Sequence, residues 1–195
     1  LTPFGGMARR FSTNPIAFSA PVPGRAPILV DFATSVLAEG KLKVARNKGV
    51  PIPVGVILDK HGAPSTDPND FYDDGMLLPM GEHKGSGLSL MIEIMGGLLS
   101  GMGCAMFEEF RPSNGALFLT LRPDLFRPAD DFFADVRRLA TIVKATPPRA
   151  GVPEVLLPGE PEERAIAQQR AHGIELDEKT WETIVAAGRS VGVTL

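Results

Sequence analysis

Residues 81–101 read GEHKGSGLSLMIEIMGGLLSG. A histidine, a lysine and three glycines crowd the opening, and a nearly unbroken apolar run follows. Met91, Ile94, Met95 and Leu98 recur at i, i+3, i+4 and i+7, which predicts a helix from about Ser86 that buries this stripe. The wider segment 85–107 carries a single charge, Glu93, and so has to be weighed as a membrane span. Its glycines interrupt that reading, and a mid-span carboxylate would cost about 2.5–3.5 kcal/mol on insertion scales. A buried helix ending in a glycine-rich turn is the expectation.

Upstream, Pro15 to Ser19 and Ile28 to Asp31 are short apolar runs separated by the turn cluster PVPGR, and they read as two strands. ATSVLAEGKLKVARNKG comes next, where Thr34 or Ser35 could cap a helix ending in the basic turn before Gly49. Val54 to Leu58 reads as a third strand, followed by a long polar loop. Downstream, Ala116 to Leu121 reads as a strand. ADDFFADVRRLATIVKA reads as an amphipathic helix with Phe133, Val136, Leu139, Ala140 and Val143 inward. Two final helices flank RAHGIELDEKT, with Gly173 after the first and Asp177 capping the second. Strands alternating with helices predict an α/β class.

The 195 residues, 44% hydrophobic and 22% charged, suffice for a sizeable core. A formal charge of -3 gives no field that would gather nucleic acid or an anionic membrane, so small-molecule partners are expected. The single Cys104 has no internal disulfide partner and reads as a small buried side chain; cytoplasm is the expected compartment. No secretory signal is visible. The loop-like opening LTPFGGMARRFSTNP suggests the later portion of a longer polypeptide.

Free amides at a helix start attract anions, glycines admit a ligand to the backbone, and Lys84 adds a full charge. Gly81, Gly85, Gly87 and Lys84 therefore suit a phosphate, or equally a tight turn beside a solvated lysine. The segment is neither a P-loop nor a G-x-G-x-x-G turn, because Lys84 precedes Gly85 and Leu90 stands where the third glycine would be. Asp31, where a strand gives way to a helix, suits either a cap or a functional carboxylate. Asp67, Asp70, Asp73 and Asp74 lack calcium-loop spacing. His61, His83 and His172 are too scattered for zinc, so no metal is expected.

Five pieces in order, FSTNPIAF, ILVDFATSVLAEGKL, PIPVGVILDKHGAPSTDP, LLPMGEHKGSGLSLMIEIMGGLLSG and VLLPGEPE, resemble the malate/L-lactate dehydrogenase family of non-Rossmann type. That family includes ureidoglycolate, sulfolactate and diketogulonate oxidoreductases. The resemblance implies a mixed-sheet, non-Rossmann α/β domain with flanking helices, binding NAD or NADP, working on a small 2-oxo or 2-hydroxy acid and assembling as a homodimer. It implies a cofactor-binding domain over residues 1–150 and a helical segment over 151–195 packing back on it. Carried across, Val30, Asp31, Phe32 and Ala33 would line the cofactor, and His83 and Lys84 would meet its phosphates or ribose. Gly159, Glu160 and Pro161 would close the other side, with Asp31 also catalytic by orienting a histidine. The family's acid/base histidine and its substrate arginine precede the matched region, and no histidine here fits that motif. The rival expectation is a non-catalytic fragment or degenerate paralogue that binds cofactor or dimerises.

Overall fold

The computed structural model describes residues 1–110 and 114–193. Its elements in chain order are strands β1 (Pro15–Ala20) and β2 (Ile28–Ala33), helix α1 (Glu39–Lys48), strands β3 (Ile57–Leu58) and β4 (Pro64–Ser65), helix α2 (Pro68–Tyr72), strand β5 (Met76–Leu77), and helices α3 (His83–Ile92), α4 (Ala129–Lys144), α5 (Glu160–His172) and α6 (Glu178–Ser190). The class is α/β, as the alternation predicts. The chain divides into two compact units: Leu1–Pro15, Ala33–Leu117 and Glu175–Leu195 form the first, and Ile16–Phe32 and Phe118–Ile174 the second.

The first unit holds an apolar core of Leu1, Phe11, Leu42, Ile52, Val56, Ile57, Phe71 and Leu77. Around it β3 pairs antiparallel with β4 on one side and β5 on the other. Arg9 lays its guanidinium over the Phe71 ring at 4.6 Å and donates to the carbonyls of Gly75 and Phe71. The segment expected to be one long polar loop therefore contains β4, α2 and β5, with Asp67 capping α2 through the Asn69 amide. These strands are two residues each, too short for alternation to register. For the same reason only Ile57 and Leu58 of the expected Val54–Leu58 strand pair.

Helix α1 starts at Glu39 after Ala38, not at a Thr34 or Ser35 cap. Those hydroxyls are spent elsewhere: Thr34 donates to the Thr13 carbonyl and Ser35 to the Leu37 carbonyl. The ends at Gly49, Gly173 and Asp177 fall as expected. Gly49 takes a left-handed φ of 63°, and Asp177 accepts from the Thr180 amide.

Helix α3 corrects the expectation about its buried face. Met91, Ile94, Met95 and Leu98 are exposed, and the buried positions are Gly85, Ser89, Glu93 and Gly96. Bulk is excluded there because neighbouring backbone comes too close. A Cβ on Gly85 would lie 2.2 Å from the Met80 carbonyl oxygen, and one on Gly96 would lie 3.1 Å from that of Gly115. The helix then widens into a π-helical turn over Glu93–Leu98, where Leu99 donates to the Ile94 carbonyl, so the 3.6-residue phase breaks within the apolar run. Asn14, at φ 37°, anchors the polar face: its amide nitrogen lies 3.0 Å from Ser89 Oγ and 2.9 Å from Glu93 Oε1.

Two further expectations fail. Residues 116–121 form no strand, and Phe118 is 90% exposed, because no neighbouring strand among the described residues supplies ladder bonds. On α4, Ala140 is fully buried while Leu139 is 58% exposed. Cys104 is buried, as expected. No helix among the described residues is long and apolar enough to cross a membrane.

The glycines of α3 give a paired prediction. Gly85→Ala drives a methyl into fixed backbone and should cost about 1–3 kcal/mol in urea unfolding. Gly87→Ala meets nothing within 4 Å and should stabilise by about 0.5–1 kcal/mol through helix propensity.

Candidate functional site

In the second unit β1 and β2 pair, joined by a turn too short for a parallel crossover. The β2 edge meets the chain before α5 through one backbone bond, Leu29 N–H to the Pro158 carbonyl at 3.0 Å. Gly159 follows at φ 97°, and a Cβ there would lie 3.1 Å from that of Leu29 and 3.3 Å from the Leu29 nitrogen. Only glycine meets both demands. The turn and the strand edge enclose a cleft of about 280 Å³ lined by Leu29, Val30, Asp31, Phe32, Pro158, Gly159, Pro161 and Glu162.

Five of the site residues expected from sequence thus come together: Val30, Asp31, Phe32, Gly159 and Pro161. Ala33 and Glu160 are not in the lining. Glu160 turns its carboxylate to protein partners, pairing with Arg25 at 2.8 Å and Lys144 at 2.8 Å and accepting from the Leu157 amide at 2.9 Å. The Lys144 ammonium, foremost, holds the Glu160 carboxyl below its usual range. Lys144 also pairs with Glu154, which Arg164 reaches at 2.7 Å; Arg164 first and Lys144 second pull the Glu154 carboxyl down to about 2. The network pins the 154–160 turn, so Glu160 is a positioning residue for the cleft wall. Leu29, Pro158 and Glu162 are additional lining residues. Nothing in the acid-rich run PGEPEE distinguishes Glu162 from an acid that merely complements the helix dipole.

His83 and Lys84 lie in the first unit, at the start of α3, and both are exposed. The turn before them is tight: Gly81 has φ 55°, and Glu82 has φ 58° and ψ -118°, a conformation normally left to glycine. The expected cradle of free amides is largely closed. Lys84 N–H donates to the Gly81 carbonyl, Gly85 N–H to Met80 and Ser86 N–H to Glu82. Among the described residues the Gly81 and His83 amides of this turn remain open, and the Lys84 ammonium pairs with no carboxylate. Gly85 serves packing, whereas Gly87 faces open space. The His83 ring lies edge-on to Phe4 with centroids 6.1 Å apart.

A family model described as malate/L-lactate dehydrogenase matches residues 1–185. Hydroxycarboxylate dehydrogenase B of Escherichia coli (strain K12) is 38% identical over 200 residues, which are 99% of this chain and 55% of that protein. L-sulfolactate dehydrogenase of Methanothermobacter thermautotrophicus is 39% identical over 201 residues, 100% of this chain and 57% of that protein. The solved structure of sulfolactate dehydrogenase from Methanocaldococcus jannaschii superposes with a TM-score of 0.79 at 30% identity, covering 100% of this chain and 57% of that one. The chain spans little more than half the length of these relatives.

The depressed carboxyls fix a pH dependence. A carboxylate whose folded pKa lies below its unfolded value stabilises the fold above the unfolded value and loses that contribution as pH falls through the folded one. Melting temperature should therefore drop as pH falls from 4.5 toward about 2, the window set by Glu154. In Lys144→Ala the drop should be shallower, as circular dichroism melts across that range would record.

Proposed function

This chain belongs to the malate/L-lactate dehydrogenase family, and on that premise we propose that it is the cofactor-binding portion of an oxidoreductase moving a hydride between a nicotinamide dinucleotide and a small 2-hydroxy acid or its 2-oxo partner. One observation carries the reading: Val30, Asp31 and Phe32 meet Gly159 and Pro161, distant in sequence, in a single cleft. Its volume suits one nucleoside-sized portion of a dinucleotide rather than the whole. The walls fit such a group, with apolar Leu29, Val30 and Phe32 for a ring and the Asp31 carboxylate for ribose hydroxyls.

When bound, the nicotinamide supplies or accepts the hydride. The chain's own residues bind and orient. Gly159 keeps the turn against β2, Glu160 fixes it through Arg25 and Lys144, and Asp31 offers an acceptor at the strand end. In the first unit, Lys84 and the open His83 amide are assigned to cofactor phosphate or ribose.

The exposed apolar face of Leu90, Met91, Ile94, Met95, Leu98 and Leu99 is larger than scattered surface leucines explain. We assign it to a second copy of the chain, in keeping with the homodimer that the resemblance implies.

Titrating the chain with NADH by fluorescence tests the cofactor reading: saturable binding is expected, and Lys84→Ala should weaken it by about 1.5–3 kcal/mol through loss of a charge-assisted contact. A folded chain that binds no nicotinamide dinucleotide would overturn it. For the assembly, light scattering should give a dimer mass for the parent and a monomer for Ile94→Asp; a monomeric parent would reject the assignment.

A further inference from the structure

The cleft in the second unit carries an unusual charge balance for a family that must accommodate phosphorylated cofactors. Its ionisable lining residues are two acids, Asp31 and Glu162, with no lysine, arginine or histidine. Among the described residues neither carboxylate enters an ion pair. The nearby cations are already committed: Arg25 to Glu160, Lys144 to Glu160 and Glu154, and Arg164 to Glu154.

The start of α5 offsets this only in part. A helix N-terminus ordinarily attracts anions through its free amides. Here the Glu160 amide donates to the Leu157 carbonyl, the Glu163 amide donates to Gly159 and Pro161 has no N–H, which leaves the Glu162 amide open beside its own carboxylate. The same turn carries three acids, Glu160, Glu162 and Glu163. A phosphate entering this cleft would meet two acidic residues that no lysine, arginine or histidine of the lining neutralises. A ribose diol would find the opposite, since its hydroxyls donate to carboxylates, the chemistry by which an acidic residue recognises an unphosphorylated ribose.

We infer that Glu162, facing the same cleft as Asp31, makes this site select against a phosphorylated ribose, so that the chain takes NAD(H) in preference to NADP(H). The inference rests on the cofactor reading above and adds a specificity-determining residue to it. Asp31 remains in its binding or orienting role, and Glu162 sets the choice of coenzyme.

Parallel titrations of the chain with NADH and NADPH, by fluorescence or calorimetry, provide the test. NADH should bind at least about tenfold more tightly at low ionic strength, and added salt should narrow the gap, because the discrimination is coulombic at a partly exposed site. Glu162→Gln should reduce the preference, and Glu162→Arg should reverse it. Equal affinities in the parent, a preference for NADPH, or a preference unmoved in Glu162→Arg would overturn the inference while leaving cofactor binding intact. Absence of binding by either coenzyme would overturn both. Circular dichroism of each variant separates a change of preference from a loss of fold.

Discussion

The backbone of Met80 joins the chain segment that leaves β2 to the start of α3. Its N–H donates to the Thr34 carbonyl at 2.9 Å, and its own carbonyl accepts from Gly85 at 2.9 Å. Thr34 is held in turn by the Thr13 carbonyl, through both its amide and its hydroxyl. This chain of bonds requires residue 85 to lack a side chain, since a Cβ would sit 2.2 Å from the Met80 oxygen. Where α3 begins, and therefore where His83 and Lys84 are displayed, follows from that single close approach. The left-handed Glu82 is the local cost of so abrupt an entry, of order 1–3 kcal/mol for such a conformation.

A parallel constraint operates in the second unit, where Gly159 lets the chain before α5 lie against Leu29. In both places glycine serves a backbone-to-backbone contact, and the polar groups nearby are positioned as a consequence. Glu160 illustrates the division of labour. Its carboxylate faces Arg25, Lys144 and Leu157, which stiffens the turn, while Glu162, two residues on, faces the cleft. The resemblance names Gly159, Glu160 and Pro161 together. The geometry separates them into a close contact, a brace and a wall.

Much of this was legible in the sequence where the signal is local. Asp177, Gly49 and Gly173 mark helix ends because caps and left-handed turns depend on one residue's own chemistry. The sequence misled where burial depends on distant backbone. The stripe of Met91, Ile94, Met95 and Leu98 has helical spacing, yet the buried side is Gly85, Ser89 and Glu93, because small residues admit Met80 and the Asn14 amide. The π-helical turn adds a phase shift that no fixed period anticipates. In the site, Val30 to Phe32 and Gly159 to Pro161 were accessible only as ordered motifs of a family. Glu162 was not accessible, since an acid in a helix's first turn has a sufficient explanation without a ligand.

The central claim is that the strand edge Val30–Phe32 and the turn Gly159–Glu162 form one cofactor-binding cleft. Amide hydrogen exchange of the chain, with and without saturating NADH, addresses it directly. Exchange should slow in both segments together on addition of NADH, with no change in the separate cleft lined by Arg46, Val50, Asp67 and Asn69. Saturable NADH binding that leaves both segments unprotected would contradict it.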